Sequence, residues 1–416
     1  MRKVFNSLLA LSALAVMGCS GSTSSSYGEI DVLDDADIYD VGDLTEIACD
    51  FVVKPLKADG PMDGIGGIKF WGNKAFARSN DNRKLLCFDN YNLYAVLNKL
   101  GRGPGEYVYL SDFSYDAKDD LIYVGNDSLI CVYDAKTMNF IRKQYVTFDI
   151  QNLLNVGDKM LYYGFYIDES RKRESLDDYN ATESLILADR GEWDLENHST
   201  ILNQHSYYHR TIFGFPQVFY VNPKNMSFCL PGYVNRIVTF DNDSTTDVYR
   251  FMLASNDSKV LTKYMTEESF EGITAEELSD DYIELILNGP YLENIYNIIV
   301  DKSTVSFRVN YYPKGLMGES GFTYLYWVRN ESGAKAYKSL RIPGLSHDID
   351  PTGCHDNRNV AIIENLGEDA IDETAKMSPL AQQIIDELKK QNDDNPVLLE
   401  FRFKYRSGGT LIQSLV

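Results

Sequence analysis

The chain is poor in the patterns that carry common catalytic chemistry. Among its 416 residues are only six cysteines and five histidines. It contains no G-x-x-x-x-G-K-S/T phosphate loop, no G-x-S-x-G nucleophile motif and no H-E-x-x-H zinc motif. Scattered serine, histidine and aspartate residues do not define a catalytic triad. The sequence therefore favours a binding protein over an enzyme.

The cysteines do not form a recognisable framework. After Cys19, the remaining five are Cys49, Cys87, Cys131, Cys229 and Cys354. Their odd number and wide spacing match neither a zinc site nor a disulfide-rich scaffold. Two of them lie in strand-like runs, "LLCFD" and "LICVYD". We therefore predict buried free thiols that pack as small apolar side chains.

Basic residues are also scarce. The chain has 40 lysines and arginines against 61 aspartates and glutamates, which gives a formal net charge of −21. Because a nucleic-acid backbone repels such a surface, a nucleic-acid partner is excluded.

A long apolar run is found only at the start of the chain. Arg2 and Lys3 precede "VFNSLLALSALAVMG", which is too short for a membrane helix, and Cys19 follows directly. This layout resembles a bacterial lipoprotein signal, with residues 1–18 removed and Cys19 lipidated. We expect the lipid to anchor the protein to the outer membrane. The Ser/Gly/Thr residues after Cys19 favour the periplasmic face over the cell surface.

Residues 19–44 are first Ser/Gly-rich and then acidic. Such a composition buries little apolar surface, so we interpret this segment as a tether. The folded domain is then predicted to cover residues 45–416.

The rest of the chain consists mainly of short β-runs with polar turns. Tyrosine (29 residues) and phenylalanine (20 residues) are abundant, as strands favour. Several runs end at a turn-forming Asp or Asn, at Asp89, Asp134, Asp189, Asp241 and Asn330. An Asp or Asn side chain can bond its own backbone and start a hairpin turn. The first four recur about every 50 residues, which is typical of propeller blades with four strands each.

Two helical segments interrupt this pattern. "TAEELSDDYIELIL" predicts a helical insertion at about residues 255–296. "SPLAQQIIDELKKQND" predicts a second helix, with Ser378 as its N-cap. We expect the following strand, "VLLEFRFKY", to pair with the early run "EIACDFVVKPL" and close the ring.

The stretch "GRGPGEYVYLSDFSYDAKDDLIYVGNDSLICVYD" is similar to an NHL-type propeller repeat. Together with Cys19 and "NPVL" at residues 395–398, it resembles the six-bladed β-propeller lipoproteins of Gram-negative bacteria, an NHL-like or TolB-like group. The resemblance implies an all-β fold: a six-bladed propeller of four-stranded antiparallel blades, with a helical insertion and a C-terminal helix before the closing strand.

The segment Gly101 to Glu106 is interpreted as a blade-to-blade turn. No Gly-Lys follows it, and strand-like residues rather than a helix come next, which argues against phosphate binding. Arg102 either pairs with Glu106 or faces the channel and binds an anionic group. Both remain candidate ligand-binding residues.

Further candidates lie in polar or aromatic loops. The ligand-binding candidates there are His205, Tyr207, His209, Arg236, His347 and Asp348. Asp348, Asp350 and His355 are weak candidates for a divalent-metal site. Their spacing matches neither a zinc nor an EF-hand pattern, which favours the alternative of a solvated turn.

We therefore expect a ligand-binding or protein-interaction module that works through one mouth of the central channel and needs no cofactor. Its partners would be a glycan, a peptide or a membrane protein, besides the membrane itself. One alternative is an axial-metal hydrolase, lactonase or lyase with a divalent cation. The other is a structural accessory of a membrane complex.

Overall fold

The computed structural model describes the chain between residues 28 and 404, with gaps. The described residues are 28–62, 64–166, 182–190, 199–205, 227–230, 236–241, 244–252, 291–301, 304–314, 323–330, 333–364, 371–372, 374–391 and 395–404. The signal, Cys19, Tyr207 and His209 lie outside them.

Within these ranges the secondary structure is almost entirely β. The N-terminal part contains β1 (Gly28–Asp31), β2 (Ala36–Asp43), α1 (Leu44–Ile47), β3 (Ala48–Pro55), β4 (Ile65–Trp71), β5 (Lys74–Ser79), β6 (Leu85–Asp89) and β7 (Asn92–Leu97). The middle contains β8 (Asp112–Asp116), β9 (Leu121–Asp134), β10 (Phe140–Val156), β11 (Lys159–Tyr166), β12 (Thr182–Asp189), β13 (Ser199–His205), β14 (Ser227–Leu230), β15 (Arg236–Asp241) and β16 (Ser244–Met252). The C-terminal part contains β17 (Tyr291–Asp301), β18 (Thr304–Tyr312), β19 (Thr323–Asn330), β20 (Gly333–Arg341), β21 (Pro351–His355), β22 (Arg358–Ile363), α2 (Pro379–Lys390) and β23 (Val397–Phe403).

The strands form consecutive antiparallel sheets. One sheet has the order β4-β5-β6-β7, and a six-stranded sheet runs from β8 to β13. This larger sheet comprises two blades, because β9 and β10 are long strands that change partners. Strand β10 pairs with β9 through residues 140–145 and with β11 through residues 148–156.

Counted in this way, the chain forms a six-bladed β-propeller, as predicted. Blade 1 is β4–β7, blade 2 runs from β8 to the first half of β10, and blade 3 runs from the second half of β10 to β13. Blades 4, 5 and 6 contain β14–β16, β17–β20 and β21–β23. Apolar clusters fill the spaces between neighbouring blades; Phe76 and Leu85 of blade 1, for example, pack with Phe113 and Ile122 of blade 2.

The ring is closed by the N-terminal strand β3, which pairs antiparallel with β23 from Pro55 opposite Val397 to Ala48 opposite Phe403. This confirms the predicted closure. Helix α2 precedes β23, also as predicted, and the Ser378 hydroxyl caps it by accepting a hydrogen bond from the Ala381 backbone N–H. No described helix has the length and apolar character to cross a membrane.

The N-terminal segment differs from the predicted tether of residues 19–44. Strand β1 pairs in parallel with β16 of blade 4, and β2 pairs in parallel with β20 of blade 5. Ile30 and Val32 are fully buried in a cluster that includes Trp327. The acidic composition of the segment concealed these apolar residues. We call β1, β2 and β3 the N-terminal strap.

The predicted helical insertion also extends too far toward the C-terminus. Residues 291–296, which the prediction included, belong to β17, the first strand of blade 5. The remainder of the predicted insertion, from residue 255 to residue 290, lies outside the described residues.

Three of the described cysteines match the predicted buried free thiols, whereas Cys49 is free but only half-buried. Cys49, Cys87, Cys131 and Cys354 are free, and the last three are buried. Burial raises the pKa of the Cys87 thiol to about 12, so it stays protonated and unreactive at neutral pH.

A buried polar cluster connects the closing blade to blade 1. The Glu400 carboxylate on β23 lies 2.9 Å from His355 Nδ1 and accepts a hydrogen bond of 3.1 Å from the Tyr91 hydroxyl. The His355 ring stacks on Phe70 of blade 1, with 4.3 Å between the ring centroids. Burial opposes protonation of His355, but the hydrogen bond and negative charge of Glu400 outweigh it and raise the pKa of the imidazole.

The stability of the ring should therefore depend on His355 near neutral pH. A raised folded-state pKa makes the protonated form stabilising below about pH 6.5, the unfolded value, and this contribution is lost as pH rises through the folded-state pKa. We expect the free energy of unfolding to fall by up to about 1.4 kcal/mol per pH unit in this window. Denaturant unfolding between pH 6 and pH 9 measures the slope. The His355→Gln variant should lack this component, and an unchanged slope in the variant would contradict the assignment.

Candidate functional site

A cavity of about 250 Å³ lies where the inner strands of blades 1, 2 and 3 meet. Strands β4, β8 and β10 supply its walls, and the crossover from β7 to β8 covers one side. The residues that line it are Gly67, Lys69, Arg78, Asn82, Tyr109, Leu110, Ser111, Asp112, Phe113, Gln151 and Asn152.

A buried ion pair forms the floor of the site. Lys69 Nζ on β4 lies 2.5 Å from Asp112 Oδ1 on β8, and each side chain is only 5% exposed. The other carboxylate oxygen of Asp112 accepts a 3.1 Å hydrogen bond from the Leu153 backbone N–H on β10. One carboxylate thus joins three blades. Burial lowers the pKa of Lys69, and the charge of Asp112 opposes this effect.

Arg78 is the second cation of the cavity. It lies on β5, next to the inner strand, and its side chain is partly buried. Its Nη1 donates a 2.9 Å hydrogen bond to the Ser111 carbonyl oxygen in the crossover. The cavity lining contains two cations and one carboxylate, and that carboxylate already binds Lys69. The positive charge of Arg78 is therefore not neutralised within the lining.

The remaining polar lining is neutral. Gln151 and Asn152 are 7% and 5% exposed on β10, and Asn82 is exposed in the turn between β5 and β6. The Tyr109 ring is 40% exposed at the rim. Amides, a phenol and a guanidinium can donate hydrogen bonds to oxygen-rich groups, and an exposed ring offers a stacking face.

The segment Gly101 to Glu106 forms a blade-to-blade crossover, as interpreted from the sequence, but it lies away from the cavity. Gly105 has a φ of 73° and packs against Phe140, and its carbonyl oxygen accepts a hydrogen bond from the Tyr133 hydroxyl. The Glu106 carboxylate accepts a 2.7 Å hydrogen bond from the Gly103 backbone N–H, so Glu106 closes the turn and does not pair with Arg102. Arg102 is exposed on the surface.

The other candidates are spread over the molecule. His347 contacts Ser346, and Asp348 pairs with Arg341, both on the surface of the crossover from β20 to β21. His205 is the last residue of β13 and Arg236 the first of β15; both lie outside the cavity lining.

The three metal candidates have separate partners. Asp348 binds Arg341, Asp350 binds Arg308, and His355 binds Glu400 at the other end of β21. In the part of the chain that the structure describes, no three potential ligands converge on one metal position.

Sequence reasoning missed Lys69, Arg78, Tyr109 and Asp112. One signal was present: in "IGGIKFW" a lysine interrupts an otherwise apolar and glycine-rich run. A lysine in a buried strand requires a paired carboxylate, although the sequence does not reveal which one.

Comparison with known proteins agrees with this architecture. A family model described as a 6-bladed beta-propeller, DUF5128, matches residues 20–251. The chain belongs to this family. No curated protein matches it.

A solved structure with a TM-score above 0.5 shows the same fold for this family member. A Bacteroides fragilis crystal structure, described as an exported protein, is 17% identical, with a TM-score of 0.55; the match covers 88% of this chain and 100% of that one. BamB from Moraxella catarrhalis is 8% identical over 86% of this chain and 98% of its own, with a TM-score of 0.36.

The stability of the fold should depend on Gly105 but not on the side chain of Arg102. A Cβ on Gly105 would lie 2.5 Å from Phe140 Cγ at a positive φ. Gly105→Val should therefore destabilise the fold by about 1–3 kcal/mol. Arg102→Ala, the matched control in the same turn, should change stability by less than about 0.5 kcal/mol. Denaturant unfolding of both variants tests this, and a Gly105→Val protein as stable as the parent would contradict the turn geometry.

Proposed function

We propose that the protein binds a small polar ligand in the cavity between the inner strands of blades 1, 2 and 3. The supporting observation is the un-neutralised guanidinium of Arg78 in the cavity lining, within a chain of net charge −21. A cation kept in a concave, mostly neutral site attracts an anionic group and orients it.

The scaffold suits this role because the walls of the site are fixed before a ligand arrives. Lys69, Asp112 and the Leu153 backbone hold three inner strands at set distances. A site built on paired strands loses little conformational entropy on binding, so more of the contact energy contributes to affinity.

The axial-metal hydrolase alternative has less support in this cavity. A divalent cation would meet Lys69 and Arg78, and Asp112 is already engaged with Lys69. The two positive charges in the lining disfavour a divalent cation.

We further propose that the protein is an exported, NHL-like lipoprotein, with a lipid on Cys19 that anchors it to the outer membrane. The apolar run before Cys19 supports this, as does the similarity in fold to the exported protein of Bacteroides fragilis. The strap begins at Gly28, so residues 20–27 would connect the lipid to blade 4.

Replacing Cys19 should prevent the lipid from anchoring the protein to the outer membrane. Cys19→Ala should leave the protein as an uncleaved precursor or move it to the soluble fraction, because the thiol is the site of acylation. Cys49→Ala, a matched control within the folded domain, should remain in the outer-membrane fraction. Cell fractionation with immunoblotting measures both, and normal processing and sedimentation of Cys19→Ala would refute lipid anchoring.

Filling the cavity should abolish ligand binding without unfolding the protein. A Cβ on Gly67 meets no atom within 4 Å, and Gly67 lines the cavity, so Gly67→Leu should occupy the site without a clash. Gly60 also has open space, and it lies outside the lining, so Gly60→Leu is the matched control.

The measurement is a thermal-shift screen of polar metabolites on residues 20–416 and on both variants. We expect at least one compound to raise the melting temperature of the parent and of Gly60→Leu but not of Gly67→Leu. Stabilisation that persists in Gly67→Leu would place binding elsewhere and overturn the proposal.

A further inference from the structure

Blades 1 and 5 contain the same arginine arrangement with one difference. In each blade an arginine on the second strand bonds the residue that directly precedes the inner strand of the next blade. In blade 1, Arg78 on β5 bonds Ser111, which precedes β8. In blade 5, Arg308 on β18 bonds Asp350, which precedes β21.

The blade 5 arginine is neutralised within the protein. Arg308 Nη1 lies 2.6 Å and 2.8 Å from the two oxygens of the Asp350 carboxylate. The guanidinium lies 4.1 Å from the centroid of the Tyr324 ring, and the Tyr326 hydroxyl donates a 3.2 Å hydrogen bond to the same carboxylate. This cation therefore has a carboxylate and an aromatic face as permanent partners.

The blade 1 arginine has no such carboxylate. Ser111 supplies only its backbone carbonyl, which accepts one hydrogen bond from Arg78 Nη1. The single carboxylate of the lining, Asp112, is held by Lys69 and the Leu153 N–H. The position that Asp350 fills beside Arg308 is thus open to the cavity beside Arg78. Carboxylates match the planar donor geometry of arginine.

The neutral residues of the lining indicate which groups the ligand carries besides its anionic group. Asn82, Gln151 and Tyr109 line the same cavity as Arg78 with neutral hydrogen-bonding groups, and the cavity of about 250 Å³ is small. Such groups suit hydroxyls better than apolar chains.

We propose that this cavity binds a small hydroxylated carboxylic acid, such as a sugar acid, whose carboxylate takes the place beside Arg78 that Asp350 takes beside Arg308. This inference rests on the proposed function, since it concerns the same cavity.

The first test compares three compounds that differ at one group. Glucuronate carries the carboxylate, glucuronamide replaces it with a neutral amide of the same shape, and glucose lacks it. Glucose 6-phosphate and N-acetyl-alanine serve as a phosphate arm and a carboxylate arm without hydroxyl groups. Saturation-transfer NMR and calorimetric titration with residues 20–416 measure binding. We expect glucuronate to bind about tenfold or more tightly than glucuronamide, as the loss of a charge-assisted hydrogen bond predicts.

The second test places a carboxylate in the protein itself. Ser111→Asp recreates beside Arg78 the pair that Asp350 makes with Arg308. It should therefore lower the affinity for glucuronate by at least about tenfold. Ser111→Asn has nearly the same shape as the aspartate without its charge, so it measures the loss that is due to filled space alone. We expect Ser111→Asp to weaken glucuronate binding more than Ser111→Asn does, because only the aspartate neutralises Arg78. Circular dichroism and melting curves of both variants establish that they are folded.

The outcomes distinguish two claims: that the cavity binds a ligand, and that this ligand carries a carboxylate. Equal affinity for glucuronate and glucuronamide, tighter binding of the phosphate, or binding unaffected by Ser111→Asp would overturn the carboxylate assignment. No binding of glucuronate would overturn it as well. A neutral compound whose stabilising effect disappears in Gly67→Leu would retain the cavity as a binding site and reject only the carboxylate.

Discussion

The pairing of β3 with β23 is the contact on which the rest of the molecule depends. An open ring would expose two strand edges and would let the inner strands move apart. The cavity is made by three inner strands from three blades, so its dimensions depend on the closure of the ring in blade 6, next to blade 1. The apolar clusters between blades supply most of the stability, while the hydrogen bonds between β3 and β23 determine that the chain forms one closed ring rather than an extended stack.

Polar contacts between blades carry out a different task. Lys69 with Asp112 and Arg308 with Asp350 each connect neighbouring blades. Removing a charge from water is costly, and a buried pair recovers that cost only when its geometry is good. Such pairs contribute little net stability, but a blade that is shifted in register would leave a charge unpaired. They therefore help to fix the relative position of the blades that they join, and blade 1 differs from blade 5 because its arginine has no internal carboxylate.

The fold was largely predictable from the sequence, whereas the site was not. Asp89 and Asp134 recur at a blade-length interval because each blade repeats one hairpin turn, and this period is local information. Helix α2 was predictable from Ser378 and its apolar face. The strap was missed because Ile30 and Val32 find their partners far away in the chain. The cavity was missed for the same reason: Lys69 and Asp112 are 43 residues apart, and no local pattern indicates that they meet.

The strap also has a consequence for the order in which the protein folds. Strands β1, β2 and β3 are synthesised first, yet they pair with β16, β20 and β23, which are synthesised much later. The first segment of the folded domain must therefore wait for nearly the whole chain before it finds its partners. Such non-local pairing slows folding, because the entropy cost of closing a large loop comes before the stabilising contacts form. A chain that cannot complete its ring early therefore stays incompletely folded for longer.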